Sequence, residues 1–104
     1  MDSKREIQLS ENFFNNGPLL LEGLNAGSVM LLSKKSGRFV QMGIQNFPYM
    51  CLWGNSYKNA VICIEPWCGT SDFADTDHIW EKKIGIESVE PGCIFSREIS
   101  FYVG

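Results

Sequence analysis

The sequence predicts an all-β fold, an antiparallel sandwich of about seven short strands. Three observations lead to this fold class. Apolar residues fall into short runs, several runs alternate apolar with polar residues, and turn-forming residues separate them. The predicted strands are, in chain order, Leu19 to Leu21, Ser28 to Lys34, Arg38 to Ile44, Tyr49 to Trp53, Ala60 to Ile64, Gly85 to Val89 and Phe95 to Val103.

Turn residues bound the first three strands. Leu19 to Leu21 follows an Asn-Asn-Gly-Pro breaker, and the only helix expected before it is a single turn near Ser10, a suitable N-cap. Ser28 to Lys34 and Arg38 to Ile44 flank Ser36-Gly37 and are expected to form a hairpin. The third strand alternates, with Phe39 and Gln41 on one face and Val40, Met42 and Ile44 on the other.

The later strands are identified by their apolar content. Tyr49 to Trp53 leads into a Gly-Asn-Ser loop, and Ala60 to Ile64 is an unbroken apolar run, typical of a strand buried on both faces. Pro66 cannot donate a ladder hydrogen bond, so this strand should end at Glu65. A Pro-Gly turn separates the last two strands. In the last one, alternation places Phe95, Ile99, Phe101 and Val103 on one face.

Composition limits the classes of function. A chain of 104 residues has the length of one domain, and its 44% hydrophobic content is enough for a packed core. A net charge of -3 offers no basic face for phosphates, which argues against nucleic acid as a partner. No apolar run approaches the roughly 18 residues of a membrane span. The polar N-terminus has no signal-peptide core, so we expect a cytoplasmic protein that has no membrane partner.

The cysteines are expected to be free thiols. Cys51, Cys63, Cys68 and Cys93 form no CxxC pair, and the chain has a single histidine, so the spacing argues against a zinc site. A disulfide is disfavoured in a chain without a secretion signal. Most of these cysteines lie in apolar runs as small buried side chains, and Cys68, beside Trp67, is the one expected to be exposed.

Glu65 is the candidate catalytic residue. It follows an apolar strand directly and precedes Pro66 and Trp67, so its carboxylate should be fixed at the rim of the core. A carboxylate held rigidly in such a setting can accept a proton from a substrate hydroxyl. The alternative is structural, with Glu65 capping a turn or pairing with a lysine.

A long segment without a strand pattern follows Glu65, from Gly69 to Lys83, and is too long for a plain turn. Its clustered aspartates and His78 indicate either a solvated acidic loop or a binding loop over a polar, aromatic site. Carboxylates that bond sugar hydroxyls beside aromatic faces commonly hold a carbohydrate. The candidate substrate-binding residues are Tyr49, Trp53, Trp67 and Asp72. Aromatic side chains that simply fill the core are the alternative, and a calcium loop is less favoured because the EF-hand Gly and Glu are missing.

The sequence resembles a known family. Phe47-Pro48-Tyr49, Trp53, and the run from Val61 to Trp67 with Gly69 and Asp72 are similar to the C-terminal part of aldose 1-epimerase (galactose mutarotase) proteins. The nearest branch is that of bacterial proteins like those of lactose operons. The resemblance covers roughly residues 10 to 103. It implies a galactose mutarotase-type β-sandwich, of which residues 1–104 form a single domain at the C-terminal end.

The resemblance also implies a reaction, the interconversion of the α and β anomers of an aldose. Glu65 matches the family's general base toward the anomeric hydroxyl. A histidine acts as general acid toward the ring oxygen, and no metal or organic cofactor is required. The family's histidines lie upstream of the glutamate, and His78 matches none of them. Gly17 stands where members of this branch often have an aspartate that contacts the sugar.

Two interpretations follow. The chain is part of a mutarotase-like enzyme, incomplete by itself because the acid histidine is missing, or it is a non-catalytic module that binds carbohydrate or self-associates. In both, a monosaccharide or small sugar is the expected ligand. Part of a sandwich should leave apolar faces and unpaired edges, so we also expect a homo-oligomer or a partner chain.

Overall fold

The structure, a computed structural model, describes residues 6–23, 27–55 and 61–104. Within these ranges it contains one 3₁₀ turn, Trp80–Lys82, and no helix long and apolar enough to cross a bilayer. The helical turn expected near Ser10 is a hydrogen-bonded turn rather than a helix, in which the Phe13 amide donates to the Ser10 carbonyl at 3.1 Å. The described strands are β1 (Leu19–Glu22), β2 (Ser28–Leu32), β3 (Phe39–Gly43), β4 (Tyr49–Gly54), β5 (Ile62–Trp67) and β6 (Ser100–Val103).

The strands form two antiparallel sheets of three strands each. The first sheet has the order β1-β4-β5 and the second sheet the order β2-β3-β6. The predicted hairpin is confirmed as β2 and β3, and the Gly37 amide closes its turn by donating to the Ser33 carbonyl at 2.8 Å. Gly37 has a φ of 75°, a left-handed conformation that glycine adopts without strain.

The core lies between the two sheets. Its buried centre consists of Met42 on β3, Ile44 just after it, and Met50 on β4. The partly buried side chains packed against this centre come from both sheets and the chain between them: Leu21, Val29, Phe47, Leu52 and Ile64. Because both sheets contribute to one cluster, they pack face to face, and the predicted all-β sandwich is confirmed.

Two predictions for the end of the chain were wrong. Residues 85–89 form no strand, because Gly85 adopts a left-handed φ of 77° and the Ile86 amide bonds back to the Lys83 carbonyl at 3.1 Å. The last strand is shorter than the predicted Phe95 to Val103. It forms only as β6, whose partners on β3 run from Val40 to Gly43.

The structure also corrects two expectations for β5. The strand continues through Pro66 to Trp67 instead of ending at Glu65, and each of its residues is half-buried rather than enclosed on both faces. Among the described residues β5 pairs only with β4, at the edge of the first sheet. An antiparallel ladder directs alternate amides away from the partner, so an edge strand tolerates a proline. Ala60, the predicted first residue, lies outside the described residues.

Candidate functional site

Most of the predicted site residues share one surface of the first sheet. Across β4 and β5, Tyr49 lies opposite Trp67, Cys51 opposite Glu65, and Trp53 opposite Cys63. Residues directly opposite each other in an antiparallel pair share a face, as do residues two apart along a strand. We call this surface the outer face; its members are Leu20, Glu22, Tyr49, Cys51, Trp53, Cys63, Glu65 and Trp67.

The alternating register explains why this face is separate from the core. Leu21, Met50, Leu52 and Ile64 occupy the intervening positions of the same three strands, and all four belong to the core cluster. Since successive side chains of a strand point to opposite sides, the outer face points away from the core. These three strands therefore place most of their aliphatic side chains in the core, whereas their aromatic and acidic side chains lie on the outer face with Leu20 and two cysteines.

Glu65 is fixed on the outer face by a neighbour on its own strand. The indole Nε1–H of Trp67 donates to Glu65 Oε2 at 3.2 Å, and both side chains are half-buried. Within the described parts of the chain, no lysine pairs with Glu65 and no backbone amide is capped by it. The indole holds Oε2 of this carboxylate, and no donor among the described residues bonds Oε1.

A buried thiol, that of Cys51, lies directly opposite Glu65 across the β4–β5 pair. Cys51 is only 3% exposed, and its burial, with smaller contributions from the nearby Glu65 and Cys63, raises the pKa of the Cys51 thiol. A raised pKa keeps this thiol protonated and neutral. All four cysteines are free, as predicted, but the exposed one is Cys93 and not Cys68, which is half-buried.

These differences predict the order of thiol alkylation. Under native conditions near neutral pH we expect iodoacetamide to modify Cys93 first and Cys51 last, because the thiolate is the reactive form and must be accessible. Residue-resolved mass spectrometry over a time course measures the four rates, and the urea-unfolded chain is the control. A Cys51 rate equal to that of Cys93 in the folded protein would contradict the described packing.

Asp72 is not part of the outer face. It lies in the segment after β5, where its carboxylate pairs with Lys83 Nζ at 3.3 Å, and both side chains are substantially exposed. It lines two cavities of this segment, while Glu65, Tyr49, Trp53 and Trp67 line neither. The structure thus brings four of the five predicted site residues together and places Asp72 elsewhere.

The segment after β5 folds on itself. Gly85 lies so close to Gly69 that a Cβ atom on Gly85 would stand 2.7 Å from the Gly69 Cα, a distance that only glycine permits. The larger of its two cavities, about 700 Å³, is lined by Thr70, His78, Trp80 and Phe95 among others. His78 is exposed, as expected of a solvated loop histidine, and belongs to this cavity instead of the outer face.

The outer face contains a second carboxylate that sequence reasoning did not identify. Glu22, the last residue of β1, lies opposite Tyr49, which in turn lies opposite Trp67. The Leu-Leu-Leu-Glu run does not show which side Glu22 faces, because three consecutive leucines have no alternation; only the pairing with β4 fixes it. Among the described residues, no three His, Cys, Asp or Glu side chains are grouped so that they could hold a metal ion.

Comparison with known proteins gives two curated relatives from Lactococcus lactis subsp. lactis. The chain is 31% identical to the chromosomal Protein LacX and 30% identical to the plasmid Protein LacX, in each case over 91 residues. These matches cover 88% of this chain and 30% of each relative, so the chain spans about 30% of the length of the curated relatives. No family model matches the chain, and no solved structure matches it.

Proposed function

We propose that this chain supplies the general base and part of the sugar-binding surface of a mutarotase-like protein that interconverts the anomers of an aldose. The observation that supports this most directly is the outer face itself, where Glu65 lies beside three aromatic side chains and accepts a hydrogen bond from one of them. Similarity to two proteins named LacX agrees with the lactose-operon branch that the sequence resembles.

In the proposed reaction Glu65 removes the proton from the anomeric hydroxyl, and the ring oxygen is protonated as the ring opens. Rotation about the bond to the anomeric carbon and reclosure then give the other anomer, with the proton transfers reversed. Tyr49, Trp53 and Trp67 pack against the apolar C–H surface of the sugar, and Asp72 is proposed to reach it from the following segment. The bond between the anomeric carbon and the ring oxygen breaks and re-forms with no change of oxidation state, so the proposed reaction requires no electron carrier or metal.

The general acid is proposed to come from residues beyond those described here. The resemblance assigns this role to a histidine, whereas the single histidine of this chain lines the separate cavity after β5. Residues 1–104 would then be the C-terminal part of a larger sandwich or one chain of an assembly. We further propose a cytoplasmic location, which agrees with four free thiols.

The rate of anomer interconversion tests the catalytic proposal. Polarimetry with freshly dissolved α-glucose and α-galactose and micromolar chain should show acceleration over buffer. It should be weak, because one missing acid lowers the rate by roughly 10²–10⁴-fold. No acceleration with either sugar would contradict catalysis by this chain and favour the second candidate function.

The second candidate is a non-catalytic β-sandwich module that binds carbohydrate or associates with another chain. Phe101 lies opposite Met42 and Val103 opposite Val40, so both occupy the face of the second sheet that faces the core. They are nevertheless 60% and 71% exposed. The core side of β6 is thus left uncovered in this chain, and a second copy or a partner chain is proposed to cover it.

Self-association follows from this uncovered strip. We expect light scattering at micromolar concentration to give a mass above that of one chain, and Phe101→Ser to shift the chain toward monomer. Ile94→Ser is the matched control, because Ile94 is 90% exposed but lies outside the strands. A wild-type monomer that binds no hydrophobic dye would contradict the proposal.

A further inference from the structure

We propose that Glu22 is a second sugar-binding carboxylate of the outer face, which accepts hydrogen bonds from the hydroxyls on the side of the ring opposite the anomeric carbon. This inference rests on the proposed function only for the orientation of the sugar, because there Glu65 contacts the anomeric hydroxyl and the opposite side of the ring then lies toward Glu22. It assigns Glu22 a role in affinity and specificity rather than in proton transfer.

The strand register places Glu22 in this site. Glu22, Tyr49 and Trp67 form one row across the three strands of the first sheet, and Leu20, Cys51 and Glu65 form the next row. The two carboxylates therefore stand at opposite corners of a patch, with Tyr49 between them and Cys51 buried beneath its centre. An aromatic ring between two hydrogen-bond acceptors matches a sugar, which has an apolar C–H face and a rim of hydroxyl donors.

The spacing of the carboxylates suits one monosaccharide. Their strands lie on either side of β4, so they are about 10 Å apart across the sheet and about 7 Å apart along it. The two Cα atoms are then separated by roughly 12 Å. Two glutamate side chains that reach inward from this distance leave room for one sugar ring with a hydrogen bond of about 2.7 Å at each end.

The Glu22 carboxylate is available for a ligand. It is exposed, and in the described parts of the chain it makes no hydrogen bond or ion pair. Gly23 follows it with a left-handed φ of 65°, and the strand ends at Glu22. A charged acceptor that bonds a neutral hydroxyl forms a stronger hydrogen bond than a neutral acceptor does, so its removal should lower affinity measurably.

Sugar titration of the full chain and three variants tests this role. Tryptophan fluorescence is followed as galactose or its analogues lacking the 3- or 4-hydroxyl are added; Trp53 and Trp67 lie on the outer face, and the third tryptophan, Trp80, lies outside it. For the wild type, at least one analogue should bind about tenfold or more weakly than galactose. In Glu22→Gln the affinity for galactose should fall by a similar factor, and the difference in affinity between galactose and that analogue should become smaller.

The other two variants separate this inference from the proposed reaction. Glu90→Gln removes a carboxylate that is also exposed, from the turn before β6, and should leave both the affinity for galactose and the preference over its analogues unchanged. Glu65→Gln should lose acceleration but keep the preference for the 3- or 4-hydroxyl. If sugar binding depends on Glu22 but the wild type does not accelerate anomer interconversion, the binding role of Glu22 stands and the proposed reaction is rejected.

Two outcomes would overturn the assignment. If Glu22→Gln keeps the wild-type affinity and preference while Glu65→Gln loses acceleration, the reaction stands and Glu22 is a solvated side chain. If no sugar alters the fluorescence or the NMR spectrum of the wild-type chain, both the Glu22 site and the sugar-binding surface are rejected. Circular dichroism of each variant verifies that the strands are retained.

Discussion

Replacement of Glu65 by glutamine is expected to abolish any acceleration of anomer interconversion by this chain, with little change in stability. An amide cannot accept the proton of the anomeric hydroxyl, and loss of a general base lowers a rate by roughly 10²–10⁴-fold. The amide oxygen can still accept the hydrogen bond that Trp67 Nε1 donates to Glu65 Oε2. The local structure should therefore persist while the reaction is lost.

Polarimetry and thermal unfolding of the same preparations measure these two effects separately. Glu90→Gln is the matched control, because it removes an identical charge from an exposed turn outside the sheets. Equal rates for wild type and Glu65→Gln would exclude Glu65 from the mechanism. A rate loss accompanied by a large fall in the unfolding midpoint would instead assign Glu65 a structural role.

Replacement of Met50 by alanine is expected to cause the largest loss of stability. Met50 is 0% exposed and lies where the two sheets meet, against residues from both of them. Truncation of a buried methionine costs about 2–5 kcal/mol, through lost burial and the cavity that remains. Because domains are stable by only about 5–15 kcal/mol, this loss is a large fraction of the total.

Met30→Ala provides the comparison within the same chain. Met30 lies on β2 and is 52% exposed, so the same truncation should cost well under half as much there. Urea unfolding followed by circular dichroism gives both free energies of unfolding. Equal losses at the two positions would mean that the sheets do not pack through Met50.

Much of the fold could be predicted because turns and strand alternation are specified by residues close together in the sequence. Ser36-Gly37 between two apolar runs was enough to predict the β2–β3 hairpin. Alternation along the third strand placed Met42 and Ile44 on the same face, and both are buried in the structure. The apolar run before Glu65 correctly predicted a strand. These features depend on turn chemistry and on the two-residue period of a strand, which a sequence displays directly.

The failures have a common physical cause. The stretch from Gly85 to Val89 alternates as a strand would, but Gly85 turns the chain and packs on Gly69. Pro66 was expected to end its strand, yet β5 continues because it lies at an edge. In both cases the outcome depends on what lies beside the segment in space: Gly69 beside Gly85, and a strand on only one side of β5. These surroundings come from residues distant along the chain, so the local sequence pattern does not show them.

The sequence by itself determined the first five strands and the free cysteines, and it supplied Glu65 as the candidate base together with the resemblance to mutarotase-like proteins. Only the tertiary structure decided which side chains share the outer face. Pairing with β4 joined Glu22 to Glu65 and the aromatic residues, while Asp72 remained outside. A strand's own pattern separates its residues into two faces. Core packing decides which strands are neighbours, and the register between them decides which residues share a face, because a shift by one residue would exchange the two faces.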